Sequence, residues 1–125
     1  MIFLKLMIFV LSFSFAFSSS TDPPRLNKGV LSNVSAVEGS FHVFACSIIS
    51  GAEPVSFTYL LNGKPLAESS SVKIDTATNA KVSLLTLQQI RRSIGGAYSC
   101  VVKNRFGSDS ASWTLTVNGN ALKCR

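Results

Sequence analysis

The groups in this 125-residue chain that could carry chemistry are few: three cysteines, one histidine and six carboxylate side chains. Cys46, Cys100 and Cys124 permit one disulfide and leave one thiol over. There is no Cys-x-x-Cys, so nothing in their spacing points to redox exchange. His42 has no second imidazole with which to share a metal, and a packed or partly exposed strand histidine is the plainer reading. The acids are spread singly, which gives no carboxylate pair for general acid and base work. Serines are plentiful, but a serine nucleophile needs an oriented base beside it. The chain reads as a non-enzyme without cofactor or metal. One covalent mark is written into it: Asn33-Val34-Ser35 fits the acceptor pattern for an N-linked glycan, and its middle residue is not proline.

These residues need elements to hold them, and residues 95–117, GGAYSCVVKNRFGSDSASWTLTV, supply the clearest one. Tyr98, Cys100 and Val102 share one parity. Past the turn at 104–107, Trp113, Leu115 and Val117 share one parity against Ser112, Thr114 and Thr116. Alternation on both sides of a glycine-bearing turn predicts a hairpin with one buried face. Upstream, residues 22–27 with Pro23-Pro24 read as an extended leading segment or linker. An edge strand is expected over 30–37 and a longer strand over 40–49, with Phe44 and Cys46 on one parity. A strand over 55–61 runs into Asn62-Gly63, a hairpin signal, and further strands are expected at 72–74 and 82–87.

Seven or eight short strands, punctuated by turn residues and free of helical periodicity, predict an all-β antiparallel sandwich. Cys46 and Cys100 fall on inward parities of separate strands. One inter-sheet disulfide between them would add about 4 kcal/mol by restricting the unfolded chain. A domain of about 105 residues is marginal without such a staple.

Residues 1–17 hold one charge, Lys5, and then an apolar run from 6 to 17. That run is too short to cross a bilayer, which takes about 20 apolar residues. Ala16, Ser18, Ser19 and Ser20 suit signal-peptidase cleavage within 18–20. The alternatives are an uncleaved signal anchor or a buried strand pair. With 1–18 as a signal peptide, the product is expected to be extracellular, either secreted as written or the ectodomain of a longer receptor. No membrane span is expected in this chain. One domain then fills 23–117, and 118–125 is left as an unstructured tail holding Cys124, where the sequence is expected to stop short of the whole protein. Twelve Lys and Arg against six acids give a charge of +6. The cations are scattered apart from Arg91-Arg92, without the aromatic interleaving of nucleic-acid grooves, so no nucleic-acid partner is expected. A mildly basic surface would suit anionic glycans or acidic partners, although ordinary solvation is the plainer reading.

Cys46, an aromatic on the next strand, and then GGAYSC and CVVKNRFG resemble an immunoglobulin domain of the intermediate set. The resemblance covers residues 23–117. Within that class PPRL, EGS, VSFTYLLNGKPL and NRFGSDSASWTLTV are similar to domains of the Dscam family (Down syndrome cell adhesion molecule-like), neuronal and immune adhesion receptors. The resemblance implies core packing for Tyr98 as the corner tyrosine, for Tyr59 against the bridge and for Trp113 on the facing last strand. Two positions depart from the pattern. Tyr59 stands where a tryptophan is usual, and its hydroxyl needs a partner when buried. Ile94 stands where an aspartate is usual, which replaces an ion pair with apolar packing around Ile90 and Ile94.

By parity, Thr58 and Leu60 on one strand face outward with Ser99, Val101 and Lys103 on another, so Leu60 and Val101 form a candidate binding face. Leu84 holds a similar place on the other sheet. The turn at 104–107 is short, unlike antibody recognition loops, so contact is expected through faces or edges. The expected function is extracellular adhesion or recognition. The resemblance implies homophilic contact, with the same protein on another cell as partner. A secreted immune-type binder of a heterologous ligand and a structural spacer of a multidomain receptor are the alternatives. A working signal peptide would exclude a cytosolic muscle-type spacer.

Overall fold

The computed structural model describes residues 21–119, except Thr78 and Ala80. The expected signal peptide and Cys124 lie outside the described residues. The strands are β1 (Arg25–Leu26), β2 (Val34–Val37), β3 (His42–Ser50), β4 (Ser56–Leu61), β5 (Lys64–Pro65), β6 (Val72–Thr76), β7 (Val82–Leu87), β8 (Gly96–Asn104) and β9 (Gly107–Asn118). They form one sheet in the order β1-β3-β7-β6 and a second in the order β2-β9-β8-β4-β5. The fold is therefore an all-β immunoglobulin-like sandwich.

Period-two alternation decides which side of each strand is buried. Phe44 and Cys46 of β3 and Ser83, Leu85 and Leu87 of β7 point inward from the first sheet. Tyr59 of β4, Tyr98, Cys100 and Val102 of β8, and Ala111, Trp113 and Leu115 of β9 meet them from the second. The alternate residues of β9, Ser110, Ser112, Thr114 and Thr116, are exposed. Burying one face of each sheet against the other gives the single layer of core expected of a sandwich. The Cys46–Cys100 disulfide crosses that layer with its Cα atoms 6.6 Å apart, within the range that a bridge spans without moving backbone.

Four local expectations are corrected. Of the two readings of residues 22–27, the linker gives way to the leading segment of the domain, which adds a strand: Arg25–Leu26 pair with β3 and Leu26 is buried. Pro24 is buried too, because Gly51 leaves room for it; a Cβ there would stand 2.7 Å from the Pro24 Cα. The segment over 30–37 is not one strand. Residues Lys28–Val30 form a 3-10 turn, with the Asn27 side chain accepting from the Gly29 amide, and pairing begins at Val34. β2 then runs parallel to β9, the exception in two sheets whose other pairings are antiparallel. The short strand expected at 72–74 extends to Thr76. Trp113 is buried as expected, but it lies in the same sheet as Tyr59, paired with Tyr98 on β8, rather than facing it.

Trp113, Tyr98 and Phe44 form the aromatic centre of the core. The Phe44 and Trp113 rings are 4.9 Å apart, and Tyr98 and Trp113 are stacked within 14° of parallel at 5.9 Å. The Trp113 Nε1 is buried without a hydrogen-bond partner among the described residues. Leaving that donor unsatisfied costs about 1–3 kcal/mol, which the ring packing offsets.

Candidate functional site

Two clefts among the described residues are open and chemically poor. One of about 400 Å³ is lined by Glu38, Gly39, Gln89, Ile90 and Arg91, and one of about 290 Å³ by Pro54, Val55, Ser56, Lys103, Asn104 and Arg105. Neither places a carboxylate beside an imidazole or a thiol. The half-buried His42 ring packs 4.6 Å from that of Phe44. Among the described residues no group of three His, Cys, Asp or Glu side chains could hold a metal ion.

The residues singled out for the core lie inside it. The Tyr59 hydroxyl, which needed a partner, donates to the Ser83 carbonyl oxygen at 3.1 Å, and the Ser83 hydroxyl accepts from Thr76. Burial raises the Tyr59 pKa above its ordinary value, and the Ser83 side chain opposes that rise in part. The Tyr98 hydroxyl donates to the Ile94 carbonyl oxygen four positions upstream, and burial pushes its pKa up to about 12. Ile94 is half-buried and, with fully buried Ile90, fills the apolar floor expected where an aspartate is usual.

One end of the sandwich is organised by Asn104. Its Nδ2 donates to the carbonyl oxygens of Asp22 at 2.8 Å and Ala52 at 3.0 Å. Its Oδ1 accepts from the amides of Phe106 at 2.8 Å and Gly107 at 3.1 Å. One side chain thus ties the leading segment, the loop before β4 and the β8–β9 turn. Gly107 completes the arrangement, since a Cβ there would press to 2.9 Å from the Pro23 side chain. Beside this end, Asp109 closes the open edge between the sheets. The Leu26 amide donates to its Oδ2 at 2.9 Å and the Lys28 ammonium lies 3.0 Å from its Oδ1. The Leu26 amide first, and then Lys28, hold this carboxyl below the usual carboxylate range.

The two outer faces differ in character. On the five-stranded sheet, Leu60 stands opposite Ser99, and Val101 opposite Thr58. They face outward as expected, lie diagonally across adjacent strands and are half-buried. Around them are small hydroxyl side chains, and the Ser99 and Ser112 oxygens are 3.0 Å apart. The four-stranded sheet is the apolar one. Phe41 is 72% exposed, Ile49 64%, Val43 43%, Leu84 37% and Val82 36%. Sequence reasoning found only Leu84 of these. The parity argument would have found Val43 and Ile49 too, since both oppose Phe44 and Cys46 on β3.

The register of this apolar sheet sets two rows of outward residues about an inward row. Phe44, Leu85 and Ile74 are cross-strand partners and point inward. On one side lie Val43, Thr86 and Lys73, and on the other Ala45, Leu84 and Asp75, each set in mutual register. Lys73 and Asp75 are exposed, and neither forms an ion pair among the described residues.

The sequence pattern of the Immunoglobulin I-set domain family matches residues 24–117. The chain belongs to the immunoglobulin I-set family. This I-set chain is 38% identical over 97 residues to mouse Hemicentin-1, a match covering 76% of the chain and 2% of that protein. It is 34% identical over 88 residues to mouse Myopalladin, covering 70% of the chain and 6% of that protein. It spans only those small shares of the curated relatives it matches. The I-set fold superposes on the Dscam1 Ig7 domain, isoform 5, with a TM-score of 0.70 at 22% identity, covering 79% of this chain and all of that one (100%). That likeness is one of fold. Among the described residues no helix is long and apolar enough to cross a membrane.

Proposed function

We propose that this I-set domain is an extracellular recognition module whose partner is a second copy of itself, displayed on another cell in the manner of Dscam-like receptors. The observation that carries the reading is the self-complementary outer face of the four-stranded sheet. Consider two copies packed face to face about a two-fold axis that crosses the strands at the level of Ile74, Leu85 and Phe44. The axis exchanges the two outward rows. Lys73 then meets Asp75 of the other copy, Leu84 meets Thr86, and Val43 meets Ala45. Charge opposes charge and large opposes small, and every contact is made twice, as an isologous interface requires. The disulfide supports an extracellular address, since bridges persist where the medium is oxidising.

A single sheet face buries at most about 800 Å² per partner, so contact between single domains is weak and multivalent display is needed to observe it. Beads coated with the domain should clump. Leu84→Asp should abolish clumping without unfolding the protein. Beads bearing K73E or D75K should each clump poorly with their own kind and well with one another, because the mixture restores both reciprocal ion pairs. Wild-type beads that stay dispersed yet bind an unlike protein would replace this reading with the immune-type one. Clumping lost in L60D or V101D but kept in L84D would move the contact to the five-stranded sheet. A spacer role is the second reading, supported by relatives of which the chain spans 2% and 6%. It expects dispersed beads and no partner.

A further inference from the structure

We propose that Asn33 carries an N-linked oligosaccharide, and that the sugar lies over a row of hydroxyls on the outer face of the five-stranded sheet. This rests on the extracellular reading, since the transfer takes place in the secretory pathway. Asn33 immediately precedes β2, and its Oδ1 accepts from the Thr114 amide of β9 at 2.8 Å. That bond fixes the side chain at the edge of the sheet while leaving its Nδ2 without a hydrogen bond among the described residues. Asn33 and Ser35, the two residues the acceptor pattern requires, are both exposed. The transfer forms a bond from Asn33 Nδ2 to C1 of the first sugar and breaks the bond from C1 to a lipid-linked pyrophosphate. The amide proton leaves with the pyrophosphate.

The surface beside Asn33 is built of short hydroxyl side chains. Ser110, Ser112, Thr114 and Thr116 follow one another along the outer side of β9, all exposed, and Ser99 joins them from β8 opposite Ser112. Each hydroxyl both donates and accepts, as sugar hydroxyls do. An apolar protein face laid over this row would strip water from it without return. A sugar replaces that water with hydrogen bonds. Val101 is cross-strand partner to Ser110 and lies at the margin of the row, with Leu60 on the strand beyond. The oligosaccharide therefore covers the side of the sandwich where Leu60 and Val101 lie, and leaves Val43, Leu84 and Ile49 on the far side bare. One modification assigns the two faces to different tasks.

The test uses the whole chain expressed in cells that glycosylate secreted proteins, compared with Ser35→Ala. That variant removes the acceptor pattern but keeps the Asn33–Thr114 bond, so it folds whether or not the asparagine side chain is needed. The secreted wild type should lose the mass of one oligosaccharide on treatment with an amidase specific for asparagine-linked sugars, and S35A should lose none. Backbone amide resonances of Ser110 and Ser112, remote from position 35, should differ between the two proteins, while those of Val43 and Leu84 coincide. Secretion without the sugar overturns this proposal alone. A sugar on Asn33 with unchanged Ser110 and Ser112 resonances overturns its placement. Retention of an unmodified chain in the cytosol overturns the extracellular reading and this one with it.

Discussion

Tyr59 and Ser83 lie on opposite sheets, and the tyrosine hydroxyl donates to the serine carbonyl oxygen across the core. Tyr59 is the cross-strand partner of Cys100, and Ser83 is the partner of Cys46. The disulfide and this hydrogen bond are therefore neighbouring struts between the same two strand pairs. A tyrosine here spans the gap with a polar tip where a tryptophan would fill it with ring.

Removing that tip should cost little, and removing the ring should cost much. Tyr59→Phe is expected to lower unfolding free energy by about 1 kcal/mol, the net worth of one hydrogen bond. Tyr59→Ala should lower it by about 3–5 kcal/mol, through the cavity left beside the bridge. Urea unfolding followed by the fluorescence of Trp113 checks both. A Tyr59→Phe loss as large as the alanine loss would show that the hydroxyl, not the ring, holds the sheets.

Asn104 is the second position where one side chain governs much structure. Asn104→Ala removes the bonds to Asp22, Ala52, Phe106 and Gly107, and should cost about 3 kcal/mol at roughly 1 kcal/mol or less for each. Asn104→Asp keeps the two acceptor contacts and loses the two donor ones, so its cost should fall between wild type and alanine. Hydrogen exchange should show the amides of residues 22–26 and Ala52 opening first. Uniform protection in Asn104→Ala would refute the tie.

Both limbs of the pH profile have an assigned group. Tyr98 in the folded protein titrates at about 12, above its unfolded value, so the stability it supplies is whole below about pH 10. That stability is lost as pH rises from there through 12. Asp109 has the opposite sign. Its folded pKa is depressed, so its contribution is whole above the unfolded carboxylate value of about 3.9 and declines as pH falls through the lower folded value. Asp109→Asn should flatten the acid limb and leave the alkaline limb in place. Denaturant midpoints across the pH range measure both, and an unchanged acid limb would reassign it.

The β8–β9 hairpin and the cross-sheet bridge were legible because parity alone carries them: Tyr98, Cys100 and Val102 cannot turn outward without exposing the whole face. The pairing of Arg25–Leu26 was not legible. Two residues after Pro23-Pro24 carry no period, and what seats them is distant in sequence, namely the space at Gly51 and Gly107 and the reach of Asp109 to the Leu26 amide. The parallel run of β2 beside β9 was hidden for the same reason, since strand direction depends on where the chain has been led. The sheet that holds Trp113 was misjudged because parity gives the side of a strand and says nothing of which sheet the strand joins. The apolar outer face was half-legible. Phe41, Val43 and Ile49 share the outward parity of the strand expected over 40–49, yet only Leu84 was read as part of a face.

The parallel β2–β9 pairing has a mechanical consequence. The chain comes in beside Gly107, where Pro23 packs, and goes out past Asn118, whose carbonyl oxygen accepts from the Glu38 amide. β9 connects those two ends, so any pull applied between them would run along its length. Tension drags β2 and β9 in opposite directions along a shared axis. The ladder from Val34–Leu115 to Val37–Asn118 is loaded in shear, all rungs at once, and does not peel open from one end. A domain strung this way resists stretching through the strand pair that its sequence marks least.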